Sequence, residues 1–169
     1  MKNFVLLITI SILLFSCNSK KSGNNNDAES KVVTVSILPQ KTFVEKIGGN
    51  DFNVNVLIPP GSSPAAYTLL PSQLKDIAKS DVWFRIGYIG FEQSWKDKIE
   101  QANEDMRIVD LSEGLDLIRA EEVQHGDHFH AGGVDPHIWL SPARVKKMAE
   151  KIMQILTEMN QEKATEYKS

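Results

Sequence analysis

All four histidines of the chain fall between positions 125 and 137, as His125, His128, His130 and His137, and Asp127 and Asp135 stand among them. Neutral imidazoles are good ligands for zinc and other late first-row ions, while carboxylates add harder oxygen donors or orient an imidazole through its other nitrogen. The chemistry open to such a cluster is capture of a divalent metal. Zinc suits it first, and the same ligand types also serve manganese and iron. For His125, Asp127, His128 and His130 the alternative is a solvated polar loop, because Gly126, Gly132 and Gly133 are interspersed with them. His137 sits differently, in Asp135-Pro136-His137-Ile138-Trp139-Leu140-Ser141-Pro142. Each proline fixes its own φ and restrains the residue before it, so this imidazole has few directions open to it, and Ser141-Pro142 can begin a helix. Spacing alone leaves His137 as either a ligand or a residue that caps and packs a loop–helix junction.

Other chemistries find little support. Cys17 is the single cysteine, so no zinc finger can form, and the chain lacks the His-Glu-x-x-His pattern of a metalloprotease helix. It also lacks a Gly-x-x-x-x-Gly-Lys-Ser/Thr phosphate loop, a Gly-x-Ser-x-Gly nucleophile turn and a Gly-x-Gly-x-x-Gly after the first strand. Asp135 and His137 could exchange a proton, but no nucleophile stands in a recognisable setting, so an enzyme is not expected. The net charge of −3 gives no basic footprint for a nucleic acid.

The elements that must position these residues alternate between two periods. Val32-Val33-Thr34-Val35-Ser36-Ile37-Leu38 has the β-branched composition of a buried strand, ended by Pro39. Phe43, Val44 and Ile47 recur at helical spacing before Gly48-Gly49. Further strands are expected at Phe52 to Leu57, Asp81 to Gly87 and Arg107 to Leu111. Helices are expected from Pro71 and over Phe91 to Asn103, and Pro142 to Met159 forms a long amphipathic one with Val145, Met148, Ile152 and Ile155 on one face. This alternation predicts an α/β fold, a parallel sheet with helices on both faces. The rigid loop Pro59-Pro60-Gly61-Ser62-Ser63-Pro64 follows a strand, where open α/β folds place ligand contacts.

Residues 1–17 read as a processing segment, with Lys2 ahead of a nearly unbroken apolar run from Phe4 to Phe15. Leu14-Phe15-Ser16-Cys17 resembles a bacterial lipoprotein signal, which would make Cys17 the lipidated N-terminus on a membrane surface; an ordinary secretory signal with a chance cysteine is the alternative. Residues 18–31 are too polar to repay the entropy of ordering and read as a tether.

Taken together, several segments resemble the zinc and manganese substrate-binding lipoproteins of bacterial ABC transporters. They are Val56-Leu57-Ile58-Pro59-Pro60-Gly61-Ser62-Ser63-Pro64, Tyr67 with Pro71-Ser72, Val109-Asp110-Leu111-Ser112-Glu113-Gly114, the His/Asp loop, and Asp135 to Pro142. The resemblance implies two α/β lobes joined by a long helix, with a metal held between them. Residues 32–159 would form the N-terminal lobe and 160–169 the beginning of the connecting helix, with the chain expected to be part of a longer protein. It implies a receptor of the cell envelope, periplasmic or otherwise extracytoplasmic, that hands its ion to a membrane permease. Within the family motif His137 matches a metal-ligating histidine, whereas the position after Pro64, which normally carries another, is Ala65. Either His125, His128 or His130 would then substitute for it, with Asp127 and Asp135 as orienting or alternative ligands, or this lobe would bind with fewer ligands. Two other readings remain, a surface adhesion or scaffold lipoprotein with a weakened metal site, and a metallohydrolase of the envelope.

Overall fold

The computed structural model describes residues 31–120, 123–125, 128–130 and 133–169. Four short strands, β1 (Lys31–Val35), β2 (Phe52–Val56), β3 (Val82–Arg85) and β4 (Arg107–Asp110), form a parallel sheet in the order β2-β1-β3-β4. Val33 pairs with Val54 on one side and with Val82 on the other, and Phe84 pairs with Val109. Val33, Thr34, Val35 and Ser36 are all fully buried, so both faces of the sheet are covered. The two polar members of that run are satisfied. The Thr34 and Ser80 hydroxyls lie 2.5 Å apart, and Trp83 Nε1 donates to Ser36 Oγ at 3.0 Å.

The covering helices are α1 (Leu38–Gly48), α2 (Pro71–Ile77), α3 (Gly90–Ala102) and α4 (Pro142–Met159); α1 packs on α4 and α2 on α3. Proline enters α1, α2 and α4 in the first turn, where its missing N–H costs nothing. At α1 the amides of Ser36 and Ile37 are taken up by Gln40 Oε1, each at 3.0 Å, while Gln40 Nε2 donates to Phe84 O on β3. One buried amide thus caps the helix and ties it to the sheet. The expected apolar face of α4 is present, with Met148, Ile152, Ile155 and Leu156 buried.

The end of α1 is crowded. A Cβ at Gly48 would lie 2.6 Å from the Phe52 ring and 3.2 Å from Leu156 Cδ1. Gly48→Ala gains roughly 1 kcal/mol of helix propensity but forces apart two buried groups at a cost of about 1–3 kcal/mol. A net loss of up to about 2 kcal/mol is expected, read as a lower urea midpoint at unchanged slope.

Between β4 and α4 lie two short antiparallel pairs, β5 (Arg119–Ala120) with β8 (Gly133–Val134), and β6 (Val123–His125) with β7 (His128–His130). Beyond α4, residues 161–163 make a 3₁₀ turn and Ala164–Tyr167 a one-turn helix, α5. The long helix stops at Asn160, whose backbone leaves the helical region and whose side chain caps nothing. Asn160 Nδ2 donates instead to Tyr167 Oη, which in turn donates to Asp51 Oδ2 at 2.7 Å. The Tyr167 ring packs on Phe52, so these last residues fold back onto the start of β2. Among the described residues no helix is long and apolar enough to cross a membrane.

Candidate metal site at the carboxyl end of the sheet

The strand order changes direction between β1 and β3, and the crevice beyond the carboxyl ends of such strands is where open α/β sheets bind ligands. Two contacts bring the histidine loop to that end. Arg107 at the start of β4 pairs with Glu158 near the end of α4 at 2.6 Å, and Lys151 Nζ donates to Asp110 O at the finish of β4. Helix α4 therefore runs antiparallel to β4, and Pro142, with Asp135 to Ser141 before it, lies at the carboxyl end. The exposed large apolar side chains among the described residues, Leu38, Leu70, Tyr88, Ile118 and Leu140, all belong to segments at this same end.

Asp135 is anchored by its own amide, which donates to Ile118 O at 2.9 Å. Its Oδ1 accepts the His137 N–H at 3.0 Å and lies 2.6 Å from His137 Nδ1. With the proton on Nδ1 donated to this carboxylate, Nε2 presents its lone pair outward, the arrangement that carboxylates give to metal-ligating imidazoles. Ile138, buried beneath the following 3₁₀ turn, pins the loop from below, and the Trp139 ring stands 5.2 Å from the imidazole. The His137 side chain is 56% exposed, open to an incoming ion. The His137 amide and then its ring hold the Asp135 carboxyl below the usual carboxylate range. Its folded value being depressed, the bond to His137 is fully formed above the ordinary carboxylate value and is lost only as pH falls through the lowered one.

A second loop repeats the pattern without the imidazole. In Ser63-Pro64-Ala65-Ala66-Tyr67 the Ala65 amide donates to Ser63 Oγ at 3.3 Å, as the His137 amide does to Asp135. Pro64 O accepts the Phe91 amide at 2.9 Å, and Ala65 O rests where a Cβ on Gly90 would be only 2.9 Å away. The loop that leaves edge strand β2 is thereby carried over to the start of α3, beside β3. Ala65 is exposed and offers only a methyl group.

For the other expected ligands the structure describes only backbone pairing. His125 pairs with His128 and Val123 with His130 across the β6–β7 ribbon. Residues two apart share a face of a strand, so positions 125, 128 and 130 fall on one face of the ribbon. Asp127 and Cys17 lie outside the described residues. Among those described, no group of three or more His, Cys, Asp or Glu gathers into a metal site.

A family model described as "Zinc-uptake complex component A periplasmic" matches residues 33–169. The chain belongs to this family. The chain is 27% identical over 165 residues to the manganese-binding lipoprotein MntA of Halalkalibacterium halodurans, covering 98% of this chain and 51% of that protein. It is 31% identical over 145 residues to the manganese ABC transporter substrate-binding lipoprotein scaA of Streptococcus gordonii, covering 81% of this chain and 44% of the relative. The crystal structure of ZnuA superposes on it with a TM-score of 0.71 at 36% identity, over 83% of this chain and 53% of that one. The chain thus spans about half the length of the relatives it matches. The expected parallel sheet flanked by helices is the fold of this family.

Sequence reading passed over one buried cluster at this end. Glu92, in the first turn of α3, is fully buried, with Oε1 2.7 Å from the Ile86 amide and Oε2 2.6 Å from the Gly87 amide. Burial raises its pKa, and the facing Ser36 hydroxyl and the two amides lower it. Arg85 Nε lies 3.6 Å from Glu92 and 3.8 Å from Asp110, and Arg85 Nη2 donates to Gly87 O. The only signal in sequence was an acid two residues after Gly90, in a loop–helix junction directly following a strand.

Proposed function

We propose that the chain is the metal-capturing lobe of a lipid-anchored, extracytoplasmic substrate-binding protein that takes up a divalent ion and passes it to an ABC transporter permease. The observation that carries this reading is the Asp135–His137 pair, a buttressed imidazole open to solvent at the carboxyl end of the sheet. Zinc is the proposed cargo, because an oriented imidazole favours it over manganese, although the related proteins include manganese binders. His137 is the first ligand and Asp135 its orienting partner. His125, His128 and His130, on one face of the ribbon, collect ions or complete the coordination, together with residues that close over this end from outside 31–169. The exposed apolar side chains around the site give such a closure its surface. Cys17 carries the lipid, and membrane attachment places the site beside the permease.

Calorimetric titration of the chain tests this reading. Zinc is expected to bind at one ion per chain, reversibly on addition of chelator, with manganese at least about tenfold weaker. Ala65 favours a second reading, a scaffold lipoprotein with a weakened site. Absence of heat with either ion, also when the residues that close over this end are present, would favour that one.

A further inference from the structure

The Ser63–Ala65 turn owes its seat to a carboxylate that metal capture itself does not use. Glu92 binds the amide side of the loop after β3, accepting from Ile86 and Gly87. The carbonyl side is bound as well, since Gly87 O accepts from Arg85 Nη2 at 2.9 Å and from Gln93 Nε2 at 2.5 Å. Gly87 has φ +105°, and a Cβ there would lie 2.5 Å from Ser112 Oγ, so the loop has no freedom to shift toward β4. With both sides held, Gly90 and Phe91 form a fixed shelf on which Ala65 O and Pro64 O rest.

We propose that Glu92 is a positioning residue of the metal site, acting through the Ile86–Gly90 loop to seat the Ser63–Ala65 turn at the carboxyl end of the sheet. The inference rests on the reading of that end as the metal site. The groups that face Glu92 are Ser36 from β1 and Arg85 from β3, with Asp110 of β4 beyond the guanidinium. Two amides and a hydroxyl converge on the carboxylate, all of them able to donate. An ionised carboxylate accepts at both oxygens, whereas a glutamine offers one oxygen and must turn its NH₂ toward an N–H. Glu92→Gln is therefore nearly isosteric and still breaks one side of the seat.

Two measurements test the proposal. Hydrogen exchange on the chain reads the Phe91 amide, which is bonded to Pro64 O. In Glu92→Gln its protection is expected to fall at least about tenfold relative to the β1 amides of Val33 and Val35 in the same molecule, because the opening is local. A loss shared equally by Phe91 and β1 would make Glu92 merely structural and overturn the proposal. The second is a double-mutant cycle on zinc affinity. Ala65→His is expected to tighten binding at least about tenfold in the parent and less than about threefold beside Glu92→Gln. Equal gains in both backgrounds, or none in either, would also overturn it. Where Glu92→Gln fails to fold, Gly90→Ala leaves the carboxylate in place and pushes directly on Ala65 O, with the same selective loss expected at Phe91 and the same outcomes deciding. Zinc binding that is absent from every chain would dismiss the metal reading, while the Phe91 amide would still decide the role of Glu92.

Discussion

His137→Ala is expected to lower the zinc affinity of the chain by at least about 100-fold while leaving its urea midpoint unchanged. The affinity term is large because so little else is assembled here. Removing a partner that only orients a ligand typically costs about 10–100-fold, and removing the ligand itself costs more. The stability term is small because the imidazole is more than half exposed and its hydrogen bond is to an exposed carboxylate. Asp135→Asn separates support from coordination. The amide still accepts the His137 N–H, but its carbonyl no longer carries the charge that fixes the ring proton on Nδ1, and a loss of about tenfold is expected. Competition with a chromophoric chelator measures both. A Kd for His137→Ala within about threefold of the parent would take His137 out of the site and leave the ribbon imidazoles as the binders.

Ala65→His should act in the opposite direction, tightening zinc binding by about ten- to a hundredfold. The substitution asks little of the backbone. No non-glycine residue among those described has positive φ, and Ala65 is exposed, so the larger side chain meets neither strain nor a clash. The turn at Ser63 already reproduces the bond pattern that orients His137, with Ser63 Oγ in the place of Asp135 Oδ1. A hydroxyl orients less firmly than a carboxylate, so Ser63→Asp added to Ala65→His should improve the gain again. An affinity unchanged by Ala65→His would show that the two loops do not face one ion.

The parts that were legible in the sequence are those where one local rule operates alone. The β-branched runs around Val33, Val82 and Ile108 could be buried only in a sheet covered on both faces, and the prolines at 71 and 142 marked helix starts, whereas Pro39, read as the end of a strand through Leu38, stands with Leu38 in the first turn of α1. The Asp135–His137 turn was legible for the same reason, since two prolines leave it few shapes. Glu92 was not. In Gly90-Phe91-Glu92-Gln93-Ser94 a charged residue in a first helical turn ordinarily faces water. Burial wins here because Glu92 accepts from two amides of the preceding loop and faces Ser36, which is 56 positions away in the chain. The docking of the last residues was not legible either, since the pull of Asp51 and Phe52 on Tyr167 is a long-range contact that no local period records.

The β5–β8 pair has a consequence for how this protein can vary. Arg119 is matched to Val134, and the Asp135 amide is bonded to Ile118 O, so the chain that leaves at 118 returns to a fixed point at 135. The two ends of the intervening stretch are thus held together in a closed neck. Closing a longer loop costs only about 0.6 kcal/mol per doubling of its length, so residues can be added to or removed from this stretch with little effect on the sheet or on the histidine beyond the neck. On the proposed reading, the number of imidazoles in this stretch can change independently of the fold that holds His137.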